Sequence, residues 1–215
     1  MRRALDHFHS AGGNSRPVVL DNETSDFLST MFAERAADES PMLATWAARA
    51  ADVRAEPFDR RRGCELFVDL WGSDRPVAAL GDEDLRRLAD FLQFVSVPAG
   101  QEVIGQDEQG DYLLIVLDGT LAVDRVQPWG GRVRLAEARA GEMLGEMSLL
   151  DAGARCCAGT TISPCVFAVV DSPRLTQMIE KEPRLALALL AGLTRRLSLR
   201  LRQVSARLSA LLSRS

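Results

Sequence analysis

The stretch Phe94–Val123, FVSVPAGQEVIGQDEQGDYLLIVLDGTLAV, decides the fold of this chain. Short apolar runs alternate in it with turn residues such as Pro98-Ala99-Gly100, a pattern typical of short strands. Asp118-Gly119 predicts a hairpin, because these residues tolerate the left-handed backbone of a tight turn. The pattern continues as far as Asp171 and gives seven or eight strands. We therefore expect an antiparallel β-roll, similar to a jelly roll, within an α+β fold.

Helical spacing of apolar residues precedes this region. Residues 22–54 predict two amphipathic helices, the second beginning at Ser40-Pro41, a cap followed by proline. Residues 56–62 are polar and predict a linker. Phe67 lies in the next helical pattern, and Asp82 is placed to cap a further helix.

The helical period returns after the roll. Ser172-Pro173 opens a short helix, and Glu182-Pro183 ends it and starts a long one. Apolar residues recur along the long helix in an almost heptad seam: Leu190, Leu193, Leu197, Leu201, Val204, Leu208 and Leu211. We expect the first half of the seam to pack both on the roll and on a second copy, and the part from Val204 onward to pair only with that second copy in a homodimer.

Four regions follow from these patterns. Residues 1–17 are predicted to be a flexible terminus and residues 18–62 a helical extension. Residues 63–182 form the roll with its flanking helices. Residues 183–215 form the long helix, which acts as lid and dimerisation element.

Composition narrows the function classes. The chain of 215 residues is 47% apolar and 26% charged, as in an ordinary globular protein. It has no apolar run long enough for a membrane span, so no membrane partner is predicted. Its net charge of −4 gives the whole molecule no attraction to nucleic acid. The basic C-terminal helix keeps nucleic-acid binding as a minor alternative.

Cysteine and histidine usage argues against a metal centre. The four cysteines include no CxxC pair, which indicates a reduced, cytoplasmic compartment. Cys156 and Cys157 are expected to lie in a strand and to face opposite ways, which excludes a disulfide between them. The only two histidines, His7 and His9, lie in the predicted tail. No cofactor is expected.

The segment Met143–Cys157, MLGEMSLLDAGARCC, has the chemistry of a phosphodiester site. Gly145 permits a tight turn, and residues 147–150 can form one helical turn whose free N–H groups face an anion. Arg155 supplies a fork of donors suited to a phosphate. Glu146 can accept hydrogen bonds from two sugar hydroxyls.

This segment resembles the phosphate-binding cassette of the cyclic nucleotide-binding domain family. In that family the cassette reads Phe-Gly-Glu-(apolar)-Ala-Leu, then a short loop, then Arg-(small)-Ala/Thr. Residues 144–149 and 155–157 take these places, and the resemblance extends over residues 66–203.

The resemblance implies a role for each cassette residue. Glu146 would bind the ribose 2′-hydroxyl and Arg155 the cyclic phosphate. Gly145 and the backbone amides near Met147 and Ser148 would complete the cradle.

The sequence does not decide whether the ligand is cAMP or cGMP. Cys156 follows the arginine where the family often has Ser or Thr, and a thiol is a weak donor. In relatives the long helix covers the base, and here Arg196, Arg200 and Gln203 are its polar candidates. Arginines there also suit a guanine edge or a second phosphate, which keeps cyclic di-GMP open.

We expect a non-enzymatic sensor in which the nucleotide closes the long helix over the site. Transcription factors of the family place a winged helix-turn-helix after that helix, whereas few residues follow Leu211 here. Signalling to an unidentified protein partner is therefore expected, and direct DNA binding is not.

One structural alternative remains. Glu146 and Arg155 could pair with each other in a degenerate pocket, which would make the chain a ligand-free scaffold. Asp107, Glu108 and Asp111 are expected to be a solvated loop and not a catalytic cluster. An enzyme has little support, since no Ser/His/Asp set, P-loop or metal cluster is evident.

Overall fold

The structure, a computed structural model, describes residues 43–72 and 80–213. Its helices there are α1 Trp46–Asp52, α2 Arg60–Trp71, α3 Asp82–Ala89, α4 Glu146–Asp151, α5 Ser172–Lys181 and α6 Pro183–Leu212. Its strands are β1 Leu43–Ala44, β2 Glu56–Pro57, β3 Gln93–Val97, β4 Glu102–Ile104, β5 Gln109–Gly110, β6 Tyr112–Asp118, β7 Thr120–Val126, β8 Arg132–Arg139, β9 Met143–Leu144, β10 Ala158–Thr161 and β11 Cys165–Asp171. The predicted terminus 1–17 and the first predicted helix lie outside the described residues.

Two antiparallel sheets form the roll. One has the strand order β2-β3-β11-β6-β9 and the other β4-β10-β7-β8, and a short parallel pair joins β1 to β5. Helices precede the roll and the long α6 follows it. The predicted α+β roll with a long C-terminal helix is confirmed.

The turn at Asp118-Gly119 carries the chain from one sheet to the other. Strand β6 pairs with β11 and β9, whereas β7 pairs with β8 and β10, so the predicted hairpin here is wrong. Gly119 has a φ of 91°. A Cβ at this position would lie 2.4 Å from the Pro164 carbonyl oxygen, so the crossing needs glycine.

Strand β6 separates two apolar cores. Its side chains alternate between the faces of the sheet, as in any strand. Leu113 and Ile115 pack with the helices, in the cluster that contains Phe67 and Trp71. Leu114 and the other alternate residues face the roll interior. Every residue from Tyr112 to Leu117 is therefore buried, which places β6 at the centre of the molecule.

The N-terminal end of the described chain differs from the predicted helix start at Ser40-Pro41. Residues Leu43–Ala44 form strand β1, and α1 begins only at Trp46. The hydroxyl of Thr45 accepts a hydrogen bond from the Ala48 amide at 3.3 Å and so fixes the start of α1.

The predicted linker at 56–62 is also wrong. Glu56–Pro57 is strand β2 at the edge of the sheet, and α2 begins at Arg60 because the Asp59 carboxylate caps it. That carboxylate accepts from the Arg62 amide at 2.8 Å. At α3 the cap is Gly81 and not Asp82, which is the first helical residue.

The C-terminal helices agree with their start signals. The Asp171 carboxylate caps α5 through the Arg174 amide at 2.9 Å, and α6 begins at Pro183. Leu193 is fully buried against the core, whereas Leu201 is 68% exposed and Leu211 65%. This confirms that the first half of the seam packs on the molecule. Within the described ranges no helix is both long and apolar enough to cross a membrane.

Candidate functional site

The turn before α4 is built around Gly145. Its φ is 85°, and a Cβ there would lie 2.0 Å from Nη1 of Arg155, so no side chain fits. Gly145 is the N-cap of α4, and Glu146 is the first helical residue. The predicted glycine turn and single short helix are present.

Glu146 is tied to the long helix. Its side chain is 2% exposed, and Oε1 accepts a hydrogen bond from Nη1 of Arg200 at 2.8 Å. Nη2 of Arg200 donates to the Met143 carbonyl oxygen at 3.1 Å. One arginine of α6 therefore joins both ends of the glycine turn.

Arg155 lies buried on the other side of the same turn. It is 4% exposed, and its guanidinium donates to the carbonyl oxygens of Gly145, at 2.7 Å, and Tyr112, at 2.6 Å. Its Cζ atom is 4.6 Å from the centre of the Tyr112 ring. Since Glu146 is paired with Arg200, the alternative of a Glu146–Arg155 salt bridge is wrong.

The buried guanidinium favours an anion. Burial lowers the pKa of Arg155 from its ordinary value, and this is opposed by Tyr112 and then by Glu146. An arginine remains charged nevertheless, because its ordinary pKa is far above neutral. A buried cation whose hydrogen bonds go to neutral carbonyls gains strongly from an anionic partner.

The other cassette residues differ in their exposure to solvent. Ser148 is buried, and its hydroxyl donates to the Gly153 carbonyl at 2.6 Å and accepts from the Gly110 amide at 3.1 Å. It therefore holds the loop together. Met147 is 50% exposed, and Cys156 is exposed beside Arg155.

The two predicted arginines of α6 contact different parts of the molecule. Arg196 donates to the Gly141 carbonyl oxygen at 2.6 Å and lies over the ring of Trp71, 4.4 Å from its centre. Arg200, one turn later, reaches Glu146. The structure thus brings Arg200 to the cassette and places Arg196 on the helical core.

The predicted strand position of the cysteine pair is wrong. Strand β10 begins only at Ala158, and Cys156 and Cys157 form a bend in which their Sγ atoms lie 3.4 Å apart. The residue before the bend is attached to the roll, since the Arg155 amide donates to the Glu108 carbonyl at 2.8 Å. Desolvation and the contact with Cys156 raise the pKa of Cys157 to about 12, so this thiol is protonated at neutral pH.

The predicted solvated acidic loop is wrong for two of its three members. Glu108 is paired with Arg49, and Asp111 is only 9% exposed. Sequence reasoning also missed Tyr112 and Trp46, whose ring centres lie 5.3 Å apart behind Arg155. Their apolar patterns predicted burial, but nothing in the sequence linked one to the other.

Two surface cavities lie away from the cassette. One of about 450 Å³ is bordered by Glu102 and Arg132, and one of about 620 Å³ by Asp90 and Arg174. Neither is lined by Glu146 or Arg155. Across the described part of the chain, no three His, Cys, Asp or Glu side chains are grouped to hold a metal ion.

Known proteins share this roll. The curated CRP-like cAMP-activated global transcriptional regulator of Mycobacterium tuberculosis is 34% identical over 110 residues, which cover 51% of this chain and 49% of that protein. A cyclic nucleotide-binding domain from Methylobacillus flagellatus superposes with a TM-score of 0.66 at 25% identity, covering 73% of this chain and 88% of that one. The Thermus thermophilus catabolite activator protein gives 0.54 at 27% identity, covering 66% and 62%.

These similarities centre on the roll. The chain spans about half the length of the curated relatives that it matches. Residues 94–182, which contain the whole glycine turn and Arg155, match the family described as cyclic nucleotide-binding domain. The candidate site therefore lies within the part of the chain that is similar to the cyclic nucleotide-binding domain family.

Proposed function

We propose that the chain is a non-enzymatic cytoplasmic sensor of a cyclic nucleotide, cAMP or cGMP. The observation that carries this proposal is the placement of Glu146 and Arg155 on two sides of one glycine turn. Arg200 of α6 contacts the Glu146 side. The mycobacterial relative is named a cAMP-activated regulator, which favours cAMP as the first ligand to test.

Ligand binding would compete with the contacts that now occupy the site. A cyclic phosphate would take the donors that Arg155 gives to the Gly145 and Tyr112 carbonyls. A ribose hydroxyl would take the Glu146 oxygen that Arg200 holds. Because α6 carries Arg200, nucleotide binding and the position of α6 would be linked through their differential free energies.

The output would come from α6 as a homodimer that acts on a protein partner, without direct DNA contact. This is supported by the leucines beyond Arg200, among them Leu208 and Leu211, whose side chains are 54–68% exposed. A row of exposed apolar side chains on one helix suits a coiled-coil partner.

DNA binding is a second candidate, because the mycobacterial relative is named a transcriptional regulator. Fluorescence polarisation with a labelled mixed-sequence duplex, with and without cAMP, tests it. Binding that weakens steeply with salt would support DNA contact. A signal that is absent or flat with salt would support output through protein.

The ligand itself is tested by thermal unfolding. A nucleotide present at about 100 times its Kd adds about 2.7 kcal/mol and should raise Tm by roughly 5–11 °C. We expect this shift with cAMP or cGMP. A shift with cyclic di-GMP alone would favour that ligand, and no shift with any of the three would favour a ligand-free scaffold.

The cassette is tested by calorimetry on two variants. Arg155→Lys keeps a charge but loses the fork of donors, and Glu146→Gln keeps the shape but loses the carboxylate. Both should weaken nucleotide binding by at least about tenfold. Arg60→Lys is the matched control, since Arg60 pairs with Asp90 on the exposed surface. Normal binding by Arg155→Lys would refute the assignment.

A further inference from the structure

Behind Arg155 lies a segment outside the residues that match the family, residues 43–57, which we call the N-terminal brace. It consists of β1, α1 and β2. Strand β1 pairs in parallel with β5, and β2 pairs antiparallel with β3. The brace is therefore attached to the roll at both ends. It contacts three residues that surround Arg155, namely Tyr112, Glu108 and Gly110.

The first contact is aromatic. The Trp46 ring, 2% exposed, packs on the buried Tyr112 ring with their centres 5.3 Å apart, and the Arg155 guanidinium lies over that same Tyr112 ring at 4.6 Å. The Tyr112 hydroxyl donates to the Val103 carbonyl at 2.7 Å, which fixes the ring. Trp46 and Arg155 thus share one immobilised platform.

The second contact is an ion pair. The Arg155 amide donates to the Glu108 carbonyl at 2.8 Å, and the Arg155 carbonyl accepts from the Asp107 amide at 2.8 Å. The Glu108 carboxylate is paired with Arg49 of the brace and also accepts from the Gly105 amide at 3.2 Å. Arg49 therefore helps to fix the residue that fixes the Arg155 backbone.

The third contact is a strand pairing. Ala44 of β1 is opposite Gly110 of β5. A Cβ on Gly110 would lie 2.3 Å from Nη2 of Arg155, so this piece of backbone lies directly against the guanidinium. The brace holds the backbone that forms the rear wall of the Arg155 side chain.

We propose that the N-terminal brace positions Arg155 for the ligand phosphate and that nucleotide occupancy is transmitted to the brace. This rests on the proposed function of the site. A phosphate that draws the Arg155 guanidinium from the Tyr112 and Gly145 carbonyls changes its place over the Tyr112 ring, and Trp46 packs on that ring. Binding coupling is reciprocal, so a change in the brace must also change nucleotide affinity.

The transmission is tested by ¹⁹F NMR of the full chain labelled with 5-fluorotryptophan. Of its three tryptophans, Trp46 lies in the brace, and Trp129 is 80% exposed and serves as internal control. Trp46→Phe and Trp129→Phe assign the resonances. We expect the Trp46 resonance to shift on saturation with cAMP or cGMP while that of Trp129 stays in place.

The positioning role is tested by calorimetry with Arg49→Met, which keeps the stem and removes the charge. We expect the Kd of the bound nucleotide to rise about fivefold or more. Arg60→Met, whose ion pair with Asp90 is exposed, should leave it unchanged. In an Arg155→Lys background, Arg49→Met should have much less effect, since it acts through Arg155.

The outcomes separate this inference from the function on which it rests. If calorimetry detects no nucleotide binding to the unaltered chain, the proposed function fails and the inference fails with it. If nucleotide binds but the Trp46 resonance does not move, transmission to the brace is refuted. If Arg49→Met weakens binding equally in both backgrounds, Arg49 has a general structural role and the positioning claim is refuted.

Discussion

The two sides of the candidate site are held by different kinds of contact. On the α6 side one side chain, Arg200, which is itself 51% exposed, reaches Glu146. On the side of the N-terminal brace, Trp46 and Tyr112 pack ring on ring, both almost fully buried, beside a strand pairing. Regions with few buried apolar contacts open at low free energy. We therefore expect the contact on the α6 side to open more readily than the contacts on the brace side.

The largest expected effect is on the brace. Trp46→Ala should lower the free energy of unfolding by about 3–5 kcal/mol, because the ring is 2% exposed and packs on Tyr112. Urea unfolding measures this. Trp129→Ala, at an 80% exposed position, should change it by less than about 0.5 kcal/mol. Equal losses from the two substitutions would mean that the Trp46 ring does not stabilise the brace side by its burial.

The next effect shows how far along α6 the side chains are packed against the core. Leu193→Ala should cost about 2–5 kcal/mol, because Leu193 is fully buried in the helical core. Leu208→Ala, at a 54% exposed position, should leave the unfolding free energy of a dilute monomer nearly unchanged. Sedimentation should instead show weaker dimerisation for Leu208→Ala. A large cost for Leu208→Ala in the monomer would mean that the whole helix is anchored.

The sequence predicted the glycine turn and the short helix after it because both are local features. Gly145, Glu146 and Arg155 lie in one short segment, and the glycine turn and helix start follow from residue type alone. The prediction that Cys156 and Cys157 lie in a strand is wrong, because residue type alone does not show that β10 begins only at Ala158.

The remaining parts of the site depend on contacts between distant residues. Arg196 and Arg200 are one turn apart on the same face of α6, so spacing could not choose between them, whereas the position of Trp71 does. Trp46 and Tyr112 are distant in the chain, and their apolar patterns predict burial without naming a partner. Packing of this kind is visible only in three dimensions.

A smaller effect is expected at Arg200. Arg200→Gln should lower the free energy of unfolding by about 1–3 kcal/mol, because it leaves the buried Glu146 carboxylate without this partner. It also removes the competitor for the Glu146 oxygen, so cyclic nucleotide affinity should rise by up to about fivefold, measured by calorimetry. Arg202→Gln, at an exposed position of the same helix, is the control. Weaker binding by Arg200→Gln would show that Arg200 contacts the ligand.

The smallest effect concerns pH on the brace side. Asp111 is 9% exposed and one of its carboxylate oxygens has no hydrogen-bond partner. Burial first, and then the neighbouring Asp171, raise the pKa of Asp111 above its ordinary value. The folded state therefore binds a proton more tightly than the unfolded state does, so this residue lowers stability as pH rises from its ordinary pKa through the raised one.

Asp111→Asn removes that charge and keeps an oxygen to accept the hydrogen bond from the Trp46 backbone. At pH 7 the free energy of unfolding should rise by about 1 kcal/mol, since an ionised buried carboxylate is no longer needed. The gain should shrink as pH falls toward the ordinary aspartate pKa of about 4, because the unaltered Asp111 takes up a proton in the folded state over that range. Asp118→Asn, at an exposed position, should show no such pH-dependent gain. A stabilisation by Asp111→Asn that stayed constant between pH 7 and 4 would mean that burial beside the brace does not raise the pKa of the carboxyl.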